Sequence, residues 1–162
     1  MERVPSTQRD STMANEELIE IVRQGRKAVA AWRRKNPDVV LDLVDADLSE
    51  IDLAGVNLRR SQMVGAKMNR SRLTGGNFSG ADLTRADLTG AEVSRVNFAG
   101  TRLFRATLRE IRGESVDFAR AVLQGADLSE AILSDANFVD AELQETDLAG
   151  AELLGVNFSH AD

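Results

Sequence analysis

The chain has 162 residues, a formal net charge of −6 and no cysteine, which sets one domain as the expectation and argues against non-specific nucleic-acid binding. No run approaches the 18 apolar residues that span a bilayer, and the N-terminus lacks the charged-then-apolar pattern of a secretory signal. The missing cysteine fits a reducing compartment, so a cytoplasmic chain without membrane association is expected.

Residues 1–14 are polar, with a proline and scattered Ser and Thr, and read as a flexible arm. From Asn15 to Lys35 the pattern predicts one helix. Asn15 is placed to cap it, and Glu16, Glu17 and Glu20 suit the positive end of its dipole. Leu18, Ile21, Val22, Ala28, Val29 and Trp32 share one face. Arg33, Arg34 and Lys35 suit the other end, and Asn36-Pro37 stops it. Gly25 is a weak point in its middle. The apolar face is expected to cover the open start of whatever follows residue 40, because an exposed strand edge invites aggregation. A partner-binding or dimerising helix is the rival reading.

From Leu41 to Asp162 one five-residue motif repeats without a break in frame. It reads Ala46-Asp-Leu-Ser-Glu50, Ile51-Asp-Leu-Ala-Gly55, and so on to Val156-Asn-Phe-Ser-His160, 24 units in 120 residues. The third position is Leu, Met, Phe or Val in every unit but one, Gly113. The first is small or β-branched in most units, and positions two, four and five are mostly polar or Gly. Such a repeat decides the fold class before any single residue does.

A longer period lies behind it. Phe78, Phe98, Phe118, Phe138 and Phe158 stand 20 apart, with Leu58 in the same series. A five-residue apolar period walks around a 3.6-residue helix rather than making a stripe. The chain is therefore expected to wind as a coil with four sides, five residues per side. Positions one and three then point inward, and equivalent positions stack from coil to coil. Six coils, 41–60 to 141–160, would span roughly 29 Å at about 4.8 Å per rung. The expected core is a Phe stack, two Leu/Met columns and a more mixed fourth. Glycine at position five is a corner residue.

These repeats, with Ala81-Asp-Leu-Thr-Arg85, Ala86-Asp-Leu-Thr-Gly90 and Ala126-Asp-Leu-Ser-Glu130 among the closest to pattern, make residues 41–162 resemble the pentapeptide-repeat family. That resemblance implies an all-β solenoid: a right-handed quadrilateral parallel β-helix of about six 20-residue coils. The segment 15–40 then resembles the N-terminal helical cap and linker of such proteins.

Stacking makes residues 20 apart neighbours. Asp52, Arg72, Glu92 and Arg112 alternate in one column. Asp47, Lys67 and Asp87 do so in another, and Glu50–Arg70 and Arg120–Asp140 are further pairs. Such cross-rung pairs stabilise by about 0.2–1 kcal/mol each. Gly113 removes a Leu-sized side chain from the core, and Ile111 in the same unit is placed to refill the space. An outward ligand pocket near Gly113 is the rival reading. Phe104, Val139 and Leu154 are apolar at the outward position four.

The last two coils differ. From Ala121 to Asp162 there is no Lys or Arg, and acids accumulate: Asp127, Glu130, Asp135, Asp140, Glu142, Glu145, Asp147, Glu152 and the final Asp162. Asp127 stacks on Asp147, and Glu110 on Glu130, which should destabilise. The first eight form the candidate partner-binding surface. The repeats run to Asp162, and an open last rung is a liability. Either the chain continues or another chain covers it, and a two-fold dimer through Leu153, Leu154, Val156 and Phe158 is the expectation.

Nothing looks catalytic. His160 is the lone histidine, so Ser or Cys nucleophiles and His/Cys metal sites have no support, and no cofactor is expected. The family resemblance implies a binding protein. Its quinolone-resistance members bind DNA gyrase by imitating DNA, and a rod with regularly spaced carboxylates would compete for a basic groove. The expected partner is therefore a protein, gyrase or another DNA-binding protein, and not nucleic acid itself. The chain departs from those members in having no loop between coils and very regular repeats. A generic scaffold or regulatory interaction module is the alternative.

Overall fold

The computed structural model describes residues 11–162, with side chains described from Glu16 onward. Of the expected arm, residues 1–10 lie outside the described residues, and 11–14 belong to the first helix. Two helices open the chain, α1 (Ser11–Arg23) and α2 (Arg26–Lys35). The expected single helix from Asn15 to Lys35 is thus corrected on two counts. Asn15 lies inside α1, not at its start, and the helix breaks at Gln24-Gly25. Gly25 has φ 80° and ψ −165°, a conformation that costs glycine little and other residues more. Val22 and Val29 are fully buried, and Leu18, Ile21 and Trp32 pack half-buried on the same core.

Beyond residue 40 the chain follows the five- and twenty-residue periods. Parallel bridges join residues 20 apart in four ladders, beginning Asp42↔Gln62, Asp47↔Lys67, Asp52↔Arg72 and Asn57↔Asn77 and continuing to Asn137↔Asn157. The bonds have a fixed polarity. Position-three N–H groups donate forward, as Leu43 does to the Gln62 carbonyl at 2.7 Å. Position-five N–H groups do the same, as Asp45 does to Val64 at 2.8 Å. Position-two N–H groups donate backward, as Gln62 does to Leu41 at 2.9 Å. Only the third ladder widens into three-residue strands: β1 (Arg112–Glu114), β2 (Ile132–Ser134) and β3 (Glu152–Leu154), paired in parallel in the order β1-β2-β3.

Every corner is left-handed. Position five has positive φ from Asp45 (55°) to His160 (60°), in 15 non-glycine residues as well as the glycines. Glycine fits there most easily, yet Arg60, Glu130 and Asp140 adopt the same turn. Position two explains the abundance of Asp and Asn. Their Oδ1 atoms accept the N–H two residues on, as Asp82 does from Thr84 at 3.0 Å and Asn97 from Ala99 at 2.9 Å. The side chain so mimics a turn of backbone.

Positions one and three fill the column. Phe78, Phe98, Phe118 and Phe138 are fully buried, and ring centroids from Phe78 to Phe158 follow at 5.3, 5.2, 4.7 and 5.1 Å. Leu58 continues the column, fully buried. The first pair is tilted by 32° and the others by 20° or less. The ring of Phe78 lies on Gly76, where a Cβ would come within 2.9 Å of it. Buried hydroxyls return their protons to backbone: Ser71 to Leu48 at 2.7 Å and Thr101 to Phe78 at 2.9 Å. At Gly113 the expectation is refined. A Cβ there would meet Val93 Cγ2 at 2.8 Å and Val116 Cγ2 at 2.9 Å. These two valines close the gap, while Ile111 is buried in its own slot.

Candidate protein-interaction surface

The charge columns form in part. Arg72 pairs with Asp52, Arg70 with Glu50 at 3.7 Å, Arg102 with Asp82 at 3.4 Å, and Arg109 with its neighbour Glu110 at 3.2 Å. Glu92–Arg112 and Asp47–Lys67 are in bridging register, but among the described residues they form no ion pair within 4 Å, nor do Arg120 and Asp140. Long exposed side chains gain little from such pairing in water. Asp47 is nevertheless held below its ordinary pKa, first by the Ser49 hydroxyl and backbone and also by Lys67 and Arg23.

All four ion pairs among the described residues lie between residues 50 and 110, so no acid of the last 42 residues is in an ion pair within 4 Å, although Arg109 attracts Asp127 and Glu130 from the preceding rung. Of the eight candidates, Asp127 is half-buried and the other seven are exposed. They do not share one face. Asp127 and Asp147 are bridged on the second ladder, with Glu130 and Glu145 at the corners on either side of it. Glu142 belongs to the first ladder, Glu152 to the third, Asp135 to the corner after the third and Asp140 to the corner after the fourth. The densest group is therefore Asp127, Asp147, Glu130 and Glu145.

The carboxylates of that group have divided duties. Asp127 Oδ1 accepts from the Ser129 N–H at 2.9 Å and from its hydroxyl at 2.5 Å, and Asp147 Oδ1 accepts from the Ala149 N–H at 2.9 Å. Their Oδ2 atoms have no hydrogen-bond partner among the described residues. Glu130 leans toward the last rung, its Oε1 standing 2.7 Å from where a Cβ on Gly150 would be. One oxygen of each aspartate builds the turn and the other remains available to a partner.

The candidate dimer end is also uneven. Leu154 is 79% exposed and Phe158 38%, while Leu153 and Val156 are half-buried against the core. Val139 is half-buried as well. Phe104 is covered by its neighbour Arg105, whose Cζ lies 5.1 Å from the ring centre. The groove outside Gly113, about 410 Å³, is lined by Thr74, Glu92, Ser94, Arg112, Glu114 and Ile132.

Two residues with structural roles were not singled out for them in the sequence. Arg33 donates from Nε to the Asn57 carbonyl at 2.7 Å and from Nη2 to that of Arg59 at 2.9 Å, and Arg23 Nη2 donates to the Asp47 carbonyl at 2.9 Å. These are carbonyls of the first rung, which no preceding rung can meet. The bonded carbonyls lie 24 or more residues along the chain from these arginines, so no local pattern announces the pairing. Among the described residues no helix is long and apolar enough to cross a membrane.

The sequence profile of pentapeptide repeats matches in eight copies over residues 42–80, 68–103, 81–112, 97–135 and 136–162. No curated protein sequence matches the chain. Among solved structures, the pentapeptide repeat protein Rfr23 from the cyanobacterium Cyanothece 51142 is 21% identical. The match covers 90% of this chain and 98% of Rfr23 with a TM-score of 0.57. A trypsin-treated form of QnrB1, a plasmid-mediated fluoroquinolone resistance protein, is 26% identical over 75% of this chain and 67% of that one, with a TM-score of 0.51. HetL, a pentapeptide repeat protein involved in heterocyst differentiation regulation in Nostoc sp. strain PCC 7120, is 31% identical over 74% of this chain, with a TM-score of 0.47. The match spans 65% of HetL's own length. The ladders, the repeat frame and the family profile agree: the chain belongs to the pentapeptide-repeat family and folds as its right-handed β-helix solenoid.

Proposed function

We propose that this protein is a non-enzymatic binding module that presents its C-terminal acids to a basic DNA-binding groove, with a type II topoisomerase of the gyrase kind as the partner. The observation that carries the reading is the segregation of charge. Residues 121–162 hold nine acids and no Lys or Arg, and none of the eight candidate acids is in an ion pair among the described residues. A surface like this attracts a basic groove over distance and competes with phosphate for it. The likeness to the fluoroquinolone resistance protein QnrB1 supports the choice of partner. On this reading α1 and α2 cap the first rung, about six coils form the rod, and a second copy covers the last rung through Leu153, Leu154, Val156 and Phe158.

The test is a gyrase supercoiling assay with and without a quinolone, run beside the triple variant Asp127→Asn, Asp147→Asn, Glu152→Gln. The amides keep Oδ1 of residues 127 and 147 as turn acceptors, so only charge is removed. Inhibition or quinolone protection that vanishes in the variant supports the reading. No effect of the native protein at micromolar concentration sinks it.

One observation favours a second reading, a scaffold that docks other proteins without imitating DNA. The eight acids are spread over four sides, whereas Leu154 is an exposed apolar side chain of β3. Binding through that side would be insensitive to salt.

A further inference from the structure

A cleft away from the acids lies beside the helix break. It has a volume of about 660 Å³ and opens where the α1–α2 break meets the third ladder. Four cations line it, drawn from three separate parts of the chain: Arg26 and Lys27 from the first turn of α2, Arg72 from the third ladder, and Arg95 from the corner beyond it. The one carboxylate in the lining is Asp52, which pairs with Arg72. Glu92 faces Arg72 from the next rung and adds to that attraction. Arg72 is thus largely neutralised, but Arg26, Lys27 and Arg95 form no ion pair among the described residues. Three unpaired positive charges therefore converge on one concavity.

The floor is shaped by two corner glycines. A Cβ on Gly55 would come within 3.0 Å of Arg26 Cδ, so the stem of Arg26 lies directly over that residue. A Cβ on Gly75 would meet nothing within 4 Å. The next residue in the same column is Arg95. The space above Gly75 is therefore open, with Arg26 on one side and Arg95 on the other. Thr74 supplies a hydroxyl beside it, and the lining has no large apolar side chain to anchor a peptide or a lipid chain. Guanidinium forks suit the paired oxygens of phosphate, and lysine serves as a point charge beside them.

We propose that this cleft binds a compact polyphosphate group, with Arg26, Lys27 and Arg95 as its ligands and Asp52 as an internal competitor that holds Arg72 back. This proposal does not depend on the acidic surface or on a topoisomerase partner.

The probe is inorganic pyrophosphate, titrated calorimetrically into the full-length protein at low ionic strength. Saturable binding at one site per chain is expected, weakening steeply as salt is added. Arg95→Gln should weaken it about tenfold, the scale of one charge-assisted hydrogen bond. Gly75→Glu should abolish it by placing a carboxylate in the open space. Fifteen non-glycine residues already take the corner conformation, so this variant is expected to fold, and its melting temperature checks that. Asp52→Asn keeps the acceptor for the Ala54 N–H but releases Arg72, and should tighten binding about threefold. Arg120→Gln, on another corner, should change nothing. No saturable binding at millimolar pyrophosphate would overturn the site. So would equal losses in Arg95→Gln and Arg120→Gln, which would mark a response to net charge alone.

Discussion

Arg33 and Asn57 are joined by a hydrogen bond of 2.7 Å from guanidinium Nε to a carbonyl that has no earlier rung to pair with. The same side chain reaches the Arg59 carbonyl. Burial lowers the pKa of this arginine, with Arg59 adding to the effect, so the placement costs something that the two bonds offset. Arg33→Met keeps much of the apolar stem and removes both donors. Each edge carbonyl left unmet costs about 1–3 kcal/mol if water cannot reach it. The variant is expected to be less stable by at least that amount, read as a lower urea midpoint, and to show faster amide exchange first in residues 41–60. A midpoint unchanged from the native protein would refute the edge-pairing role.

The aromatic column predicts a gradient of stability. Phe118 lies between Phe98 and Phe138 at 5.2 and 4.7 Å and is fully buried, whereas Phe158 is 38% exposed and has a ring on one side alone. Phe118→Ala should cost about 3–5 kcal/mol, the range for a buried Phe whose cavity cannot collapse. Phe158→Ala should cost well under half as much. In a solenoid each rung is held by its neighbours, so the first variant is also expected to separate the melting of the two halves. Calorimetric traces of the two variants check both points.

How much of this could be read in the sequence follows from what is periodic. The Phe series predicts the stacked rings because position three recurs every 20 residues with no insertion. The pair Asp127–Asp147 is in register for the same reason. The break at Gly25 is visible in the sequence only as a weak point, because a lone glycine in a helical pattern does not say whether the helix runs through it. The bonds of Arg23 and Arg33 join residues at least 24 apart in the chain, outside any local pattern. The spacing around Gly113 indicated a filled core with Ile111 as the filling, whereas Val93 and Val116, which belong to other units, close the gap. The acidic region was legible as composition, yet its division among four sides emerges only when each acid is placed on its ladder or corner.

Two interior glycines give a sharper test of packing. Gly113→Ala would press a methyl to 2.8 Å from Val93 Cγ2, and Gly76→Ala would press one to 2.9 Å from Phe78. Overpacking of this kind costs about 1–3 kcal/mol. Both variants should lower the melting temperature, and the double variant Gly113→Ala/Val93→Ala should recover part of the loss. If Gly113→Ala were neutral, the core there would hold a real void.

Acid should weaken the first rungs in a defined sense. Asp47 and Asp52 both have folded pKa values below the ordinary 3.8. The Ser49 hydroxyl is the leading cause for the first, and the Arg72 hydrogen bond for the second. A depressed carboxylate contributes stability above its unfolded pKa and loses it as pH falls through the folded one. Stability should therefore decline as pH drops below about 4. In Asp47→Asn and Asp52→Asn that decline should be shallower. Parallel acid titrations followed by circular dichroism separate the two contributions.

The open end gives the last prediction, and salt makes it discriminating. The N–H groups of Leu148, Leu153 and Phe158 point to a rung that the described chain does not contain, and Leu154 stands 79% exposed beside them. A two-fold dimer here would bury that edge, yet it would bring two acidic regions together. Its association should therefore strengthen as salt screens the repulsion. Binding of the acids to a basic groove should weaken under the same change. Sedimentation equilibrium at low and high salt is expected to show a dimer that tightens with salt. Leu154→Glu/Phe158→Glu should return a monomer with an unchanged circular dichroism spectrum. A native protein that stays monomeric at both salt concentrations would remove this end as a dimer interface, while leaving the acidic surface to be judged by its own assay.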